Sequence, residues 1–308
     1  STIALPEQER KGYPAPLFLG SIAAGGTLGI LIPPSINMIL FALIANISVP
    51  KLYLAATIPG LLLCVMFVAM IVITCMIWPK LGGTRQQATW AERLASIPDL
   101  LPPMAIFVLV VGAIYSGFAT ASESAALGVL AAFGLGLLRR TFTWQNLGQA
   151  FESTMRTSGM IIFITLSAFF LNFVLSAIGL TPALVSFITG LELSPMATLL
   201  AIILFYIILG CFMDTLAMLI TTAPLVVPVI VALGFDPLWF GVILIILCEL
   251  GQITPPFGMN LFVVQSIRNK GNFMEVIMGV LPFCFVLLLL IALLILFPAL
   301  ALWLPQFA

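Results

Sequence analysis

The chain has 308 residues, 62% hydrophobic and 7% charged, with eleven basic residues balancing eleven acidic ones and a mean hydropathy of +1.27. Soluble globular domains carry about 25% charged residues, so this composition describes an integral membrane protein, and the zero net charge offers nothing to nucleic acid. Histidine is absent, which removes the commonest metal ligand and proton shuttle.

Ser1–Gly12 is polar and charged, with neither the basic nor the apolar region of a signal peptide. The chain reads as though it opens inside a longer sequence. Membrane segments are predicted at 15–47, 52–78, 100–118, 121–138, 157–178, 194–232, 238–263 and 274–304, several of them longer than the roughly 20 residues a helix needs to cross the hydrocarbon core. They are read as helices because backbone in lipid must satisfy its own hydrogen bonds and no barrel-like alternation is present. The stretches 79–99 and 139–156 read as the longest polar connections, and each includes an amphipathic piece, such as TWAERLASI in the first, that suits the membrane surface.

The first segment contains GILIPPSINM, Gly29 to Met38. Each proline lacks an N–H and crowds the carbonyl one turn before it, so Pro33-Pro34 frees carbonyls around Gly29 to Leu31. Unpaired carbonyls are costly in hydrocarbon unless sodium, water or a polar side chain takes them. Ser35 and Asn37 follow with neutral oxygens suited to a hard cation.

The segment 121–138 opens with Glu123 just after Ser122, where a helix-capping role is favoured. Further on, the stretch 194–232 is interrupted at GCFMDTLAML. Its first arm, Pro195 to Gly210, spans only about 24 Å at 1.5 Å per residue, and its second carries Pro224 and Pro228. Two short arms meeting at a polar tip make a re-entrant hairpin, tolerable only where the tip is buried in protein or faces a cavity. Asp214 at that tip caps the second arm or binds a cation, with capping weighed somewhat above ligation, and Thr215 is a donor at a helix N-terminus suited to an anion.

Next comes GQITPPFGMN, Gly251 to Asn260, which repeats the first punctuation 222 positions later. Here Pro255-Pro256 frees carbonyls around Gly251 to Ile253, flanked by Thr254 and Asn260. Without gaps, residues 5–34 and 227–256 match at Pro6/Pro228, Gly12/Gly234, Phe18/Phe240, Leu28/Leu250, Gly29/Gly251, Pro33/Pro255 and Pro34/Pro256. Glu249, two residues before Gly251, either pairs within the bundle or assists the site, and the sequence leaves both open. The five cysteines lie in apolar runs without CxxC spacing and read as packing residues.

If 194–232 enters and leaves on one side, ten of the eleven basic residues (Arg10, Lys11, Lys80, Arg85, Arg93, Arg139, Arg140, Arg156, Arg268 and Lys270) share one face, and Lys51 alone lies on the other. Positive charge marks the cytoplasmic side. The Gly12 and Gly234 loops then lie on opposite sides, so the two copies form an inverted-topology repeat, as in many secondary transporters. Few carboxylates and no histidine favour sodium coupling over a proton relay.

GSIAAGGTLGILIPPSI, YSGFATASESAA, and GCFMD followed by FGVILIILCELGQITPPFGMNLFVV resemble the large membrane subunit of tripartite ATP-independent periplasmic (TRAP) transporters across essentially all 308 residues. The resemblance implies an all-α, inverted-repeat, elevator-type secondary transporter with a re-entrant hairpin and discontinuous helices in the bacterial inner membrane. It implies sodium-coupled uptake of an organic-acid anion (a C4-dicarboxylate, sialic acid or similar carboxylate), with a small four-helix membrane subunit and a periplasmic substrate-binding protein as partners. Sodium is the only cofactor-like species it implies.

Carried onto this chain, the resemblance makes Gly29, Ile32, Pro33, Ser35 and Asn37 a first sodium site. Gly210, Asp214, Thr215, Gly251, Thr254, Pro255 and Asn260 become a second, and Ser35, Asn37 and Thr215 touch substrate. Members of the family have a further stretch before this point, including the first arm and serine-rich tip of another hairpin, so part of the first site and much of the substrate lining are expected outside this chain. Phe257 stands where the first copy has Ser35, so the sites are not expected to be chemically equivalent.

The expected division is 1–51 (end of the first hairpin and first broken helix), 52–156 (scaffold or arm helices with cytoplasmic connections), 157–263 (second repeat with the hairpin and second broken helix) and 264–308 (C-terminal scaffold helix). The first and third parts form the transport domain. Rival readings are a stand-alone sodium/dicarboxylate symporter and a non-transporting scaffold or channel. A membrane-embedded enzyme lacks a convergent catalytic set, with no HExxH and no GxSxG.

Overall fold

The computed structural model describes residues 8, 12–83, 89–95, 97–140, 142–268 and 271–307, and among them the only regular structure is helix. Arg10, Lys11, Arg85 and Lys270 of the charge argument, and Pro6 of the repeat, lie outside the described residues, as does the side chain of Arg93. In chain order the α-helices are α1 (Ala15–Gly25), α2 (Leu28–Leu31), α3 (Ile36–Ala45), α4 (Val49–Ile77), α5 (Trp90–Ala95), α6 (Ile97–Tyr115), α7 (Ala121–Leu138), α8 (Trp144–Ala177), α9 (Leu180–Gly190), α10 (Pro195–Gly210), α11 (Thr215–Ala232), α12 (Pro237–Ile253), α13 (Met259–Arg268), α14 (Phe273–Leu296) and α15 (Ala299–Leu302). By length and composition, five of the described helices can each cross a membrane, or six spans if the pair bent by 42° between Leu31 and Ile36 counts as one.

The chain forms two compact units, 1–85 with 170–308, and 86–169. In the first unit α12 is the centre. Its sequence, PLWFGVILIILCELGQI, is apolar all round rather than on one stripe, a pattern shared by helices that face lipid and helices enclosed by others, and here every residue from Trp239 to Gly251 is buried. It packs against α2, α3, α4, α10, α11, α13 and α14. The indole N–H of Trp239 donates to the Leu294 carbonyl of α14 at 2.9 Å, satisfying the one polar atom of a buried ring. Close by, α1 lies backbone to backbone on α14: a Cβ on Gly20 would overlap the Gly279 carbonyl.

The repeat extends beyond the matched sequence. Each copy runs helix, proline break, ten-residue helix (α3 or α13) and long helix (α4 or α14). At the matched break positions the backbone is nearly the same, Ile32 at φ −85°, ψ 120° and Thr254 at φ −86°, ψ 125°. Gly12 and Gly234 both adopt left-handed backbone, at φ 66° and 84°, which requires glycine at low cost. Both Pro-Pro bonds are cis.

Several segments differ from the sequence reading. The stretch 139–156, read as a connection with an amphipathic piece, is helical from Trp144 and runs without interruption into the next segment; its polar residues contain no proline, and Arg156 pairs with Glu152 one turn back at 3.3 Å. The stretch 179–193, also read as a connection, contains α9, whose eleven residues span about 16 Å and cannot cross by themselves. The segment 15–47 breaks twice, at Gly26–Thr27 as well as at the prolines. Compactness also groups 52–85 and 264–308 with the broken helices, whereas the four-part division expected above is one by motion.

In the second unit α6 packs along α7. A capping box starts α7: the Thr120 hydroxyl accepts the Glu123 N–H at 3.3 Å, and the Glu123 carboxylate accepts the Thr120 N–H at 2.8 Å. Glu123 therefore caps, with Thr120 rather than Ser122 as its partner.

Candidate functional site

The second break and the hairpin tip converge. Gly210, the last residue of α10, lies against Gly251 of α12, so closely that a Cβ on Gly251 would stand 3.0 Å from the Gly210 Cα. That approach brings the tip between α10 and α11 onto the end of α12. A cavity of about 190 Å³ opens there, lined by Phe212, Met213, Asp214, Thr215, Gly251, Gln252, Phe257 and Met259.

Polar groups around it are set by local chemistry. Asp214 is the N-cap of α11, its carboxylate accepting the Leu216 N–H at 3.0 Å, which is the capping role favoured from the sequence. Buried Thr215 accepts from the Gln252 amide at 3.3 Å, which ties tip to break and leaves the threonine O–H able to donate. Thr254 and Asn260 are not among the lining residues. The Thr254 hydroxyl turns back to the Leu250 carbonyl at 2.6 Å, closing one group at the helix end. Cys284 of α14 reaches the Ile253 carbonyl at 3.8 Å. With prolines at 255 and 256, the carbonyls of Gly251 and Gln252 have no amide one turn on.

The first break is built differently. Prolines at 33 and 34 leave the Gly29 and Ile30 carbonyls without helix donors. The Ser35 N–H, next in line to serve Leu31, instead meets the Tyr53 hydroxyl at 3.3 Å, which in turn donates to the Ser35 carbonyl at 3.4 Å. Pro33, Ser35 and Asn37 are buried, and the Asn37 amide nitrogen has no hydrogen-bond partner. Ile32 sits against Gly60 of α4, and Gly29 faces open space. Glu249 is fully buried in α12, its carboxylate turned toward the Leu31 amide of α2 at the first break.

The structure thus brings Asp214, Thr215 and Gly251 to one cavity, with Gly210 packed against Gly251 and Pro255 following at the break, while Gly29, Ile32, Pro33, Ser35 and Asn37 lie along the first break. Sequence reasoning missed Gln252, Phe212, Met213, Phe257 and Met259 in the cavity, and Tyr53 at the first break. Gln252 carried a signal, being the single amide side chain in the apolar run of α12. Tyr53 carried none. A larger cavity of about 330 Å³ between α9, α10 and α11 is lined almost wholly by apolar side chains, and its two threonine hydroxyls, on Thr198 and Thr222, already bond within the protein; it lacks the polar groups an ion or acid needs.

A family model described as the DctM component of tripartite ATP-independent periplasmic transporters matches residues 1–300. The C4-dicarboxylate TRAP transporter large permease protein of Pseudomonas aeruginosa is 33% identical over 306 residues, covering 99% of this chain and 71% of that protein. The sialic acid TRAP transporter large permease protein of Vibrio cholerae is 32% identical over 289 residues, 93% of this chain and 67% of that protein. An ectoine TRAP transporter large permease protein of Halomonas elongata is 31% identical, covering 98% and 70%.

Proposed function

Because the chain belongs to the DctM family of tripartite ATP-independent periplasmic transporters, whose members are multi-pass permeases of the bacterial inner membrane and not enzymes, we propose that it carries an organic-acid anion inward by sodium-coupled secondary transport. The observation that carries this reading is the meeting of a capped helix tip with a proline-broken helix around one small polar cavity. The N-terminal end of α11 offers amides to an anion, while the Gly251 and Gln252 carbonyls offer oxygens to a sodium ion. One sodium site comprises Gly210, Asp214, Thr215, Gly251, Thr254, Pro255 and Asn260, and the other Gly29, Ile32, Pro33, Ser35 and Asn37, with Ser35, Asn37 and Thr215 toward substrate.

The matched breaks act as an inverted repeat, and the parts 1–51 and 157–263 move as a block past 52–156 and 264–308 in an elevator cycle. Sodium binds first, organising freed carbonyls and the tip, and the anion follows. The partners are a small four-helix membrane subunit and a periplasmic protein that delivers the acid. Relatives named for C4-dicarboxylates, sialic acid and ectoine make succinate and sialic acid the first probes.

The test is uptake of labelled succinate or sialic acid into proteoliposomes holding both membrane subunits, with the binding protein outside. Uptake should require inward sodium, and Asp214→Ala with Thr254→Ala should slow it about tenfold or more, the effect of roughly 1.4 kcal/mol of lost ion binding. Undiminished uptake in sodium-free buffer sinks the sodium assignment, and equal uptake without the binding protein makes the chain a stand-alone symporter.

A further inference from the structure

The helix after the second break reaches across to the helix that leads toward the first. Asn260, the second residue of α13, donates from its amide nitrogen to the Ala23 carbonyl of α1 at 3.1 Å, between residues 237 positions apart. The reason that carbonyl is available lies in the local backbone. In an unbroken helix the Thr27 N–H would serve Ala23; at the Gly26–Thr27 break it goes to the Ala24 carbonyl instead, at 3.1 Å, while the Gly26 N–H serves Ile22. Ala23 is left without its helix partner, and Asn260 supplies one. Gly26 lies beside this bond, where an added Cβ would stand 3.3 Å from the Ala23 oxygen and 3.5 Å from the Asn260 nitrogen.

A side-chain amide has two ends. With its nitrogen committed to Ala23, the oxygen of Asn260 remains an acceptor at the second break. We infer that Asn260 is a positioning residue that joins the two breaks, so that sodium binding at one favours sodium binding at the other. An ion that fixes the Asn260 oxygen also fixes its nitrogen, and with it the last turn of α1 that leads into the first break. By thermodynamic reciprocity, an ion at the first break holds Ala23 in place and presents the Asn260 oxygen already oriented.

α14 lies beside both ends of this link, touching α1 through the Gly20–Gly279 contact and the end of α12 through Cys284 and the Ile253 carbonyl. α13 packs directly on α1. The link runs one way only: the position matched to Asn260 in the first copy is Met38, which has no amide to return.

This inference rests on the sodium sites proposed above, and hydrogen exchange separates the two ideas. The purified permease is titrated with sodium chloride against potassium chloride at constant ionic strength, following amide protection in segments 15–31 and 250–263 by mass spectrometry. Wild type should protect both segments along one steep curve, with a Hill coefficient above one. Asn260→Asp keeps an oxygen for the ion but has no N–H for Ala23; its two segments should titrate separately, with midpoints about fivefold apart or more and Hill coefficients near one. A single steep curve in Asn260→Asp overturns the strut, as do two independent curves in wild type, and both leave the sodium sites standing. No difference between sodium and potassium in either segment overturns the sodium sites and the strut together. Should Asn260→Asp not fold, the wild-type curves decide.

Discussion

At Ile32 and at Thr254 the chain leaves its helix through nearly the same angles, yet a tyrosine from α4 holds the first turn and the threonine's own hydroxyl holds the second. The prolines decide which carbonyls lose their partners, because that follows from covalent chemistry alone. The side chains at matched positions decide what happens next. Ile32, Ser35, Asn37 and Met38 in the first copy stand against Thr254, Phe257, Met259 and Asn260 in the second. The first break therefore places its polar side chains directly after the prolines, whereas the second draws them from the hairpin tip and from Gln252. One backbone device is dressed for two different environments.

The sharpest way to break this contrast is to add one methyl group to each of two matched glycines. Gly251→Ala drives a Cβ against both Cα and carbonyl of Gly210, and neither backbone can turn aside as a side chain would. Overpacking of this kind costs about 1–3 kcal/mol, and the upper end is expected here. Gly29→Ala meets nothing within 4 Å, and in a helical position alanine is favoured over glycine by up to about 1 kcal/mol. Thermal unfolding in detergent, followed by tryptophan fluorescence, should move in opposite directions for the two variants. Equal losses would mean that both breaks are closed by tight packing.

How far the sequence reveals these differences depends on the range of the interaction. The Pro-Pro pairs, their glycines and the Asp214 cap are local, and all were readable. The buried centre is not, since an all-apolar α12 reads the same against lipid as against other helices. The bonds from Tyr53 to Ser35, from Gln252 to Thr215 and from Asn260 to Ala23 span 18, 37 and 237 positions. No local pattern encodes such pairings; they exist because tertiary packing brings two orphaned groups together. The extents of α8 and α9 escape for a different reason: polar composition in the first and short length in the second suggest a connection, although neither stops a helix, and Pro182 falls in the first turn of α9, where its missing N–H is not needed.

An intermediate effect is expected from removing one hydroxyl at each break. Tyr53→Phe strips the group that serves both the N–H and the carbonyl of buried Ser35, leaving an unpaired amide at a cost of about 1–3 kcal/mol. The lower part of that range fits bonds of 3.3 and 3.4 Å. Thr254→Val removes the 2.6 Å bond to the Leu250 carbonyl and should cost about 1 kcal/mol. Hydrogen exchange sharpens the comparison: Tyr53→Phe should speed exchange after Pro34 but not after Pro256, and Thr254→Val should do the reverse. Exchange that rises at both breaks in either variant would show that they are not closed separately.

The smallest expected difference lies at the starts of the matched helices. Asp236 caps α12, one carboxylate oxygen accepting the N–H groups of Leu238 at 2.7 Å and Trp239 at 3.3 Å. Its counterpart is Pro14, which starts α1 with no side-chain cap. Asp236→Ala should lower stability by about 1 kcal/mol in the same unfolding assay, the usual cost of losing an N-cap acceptor. Pro14→Asp should raise it by a similar or smaller amount, because it provides a cap where none exists. α1 can do without one because its close backbone contact with α14 already fixes it; near the start of α12 the Trp239 side chain reaches α14 instead, at the Leu294 carbonyl. If Pro14→Asp gains nothing while Asp236→Ala still loses, packing on α14 has already fixed the start of α1, and the two copies differ in how their first turns are held as well as in how their breaks are closed.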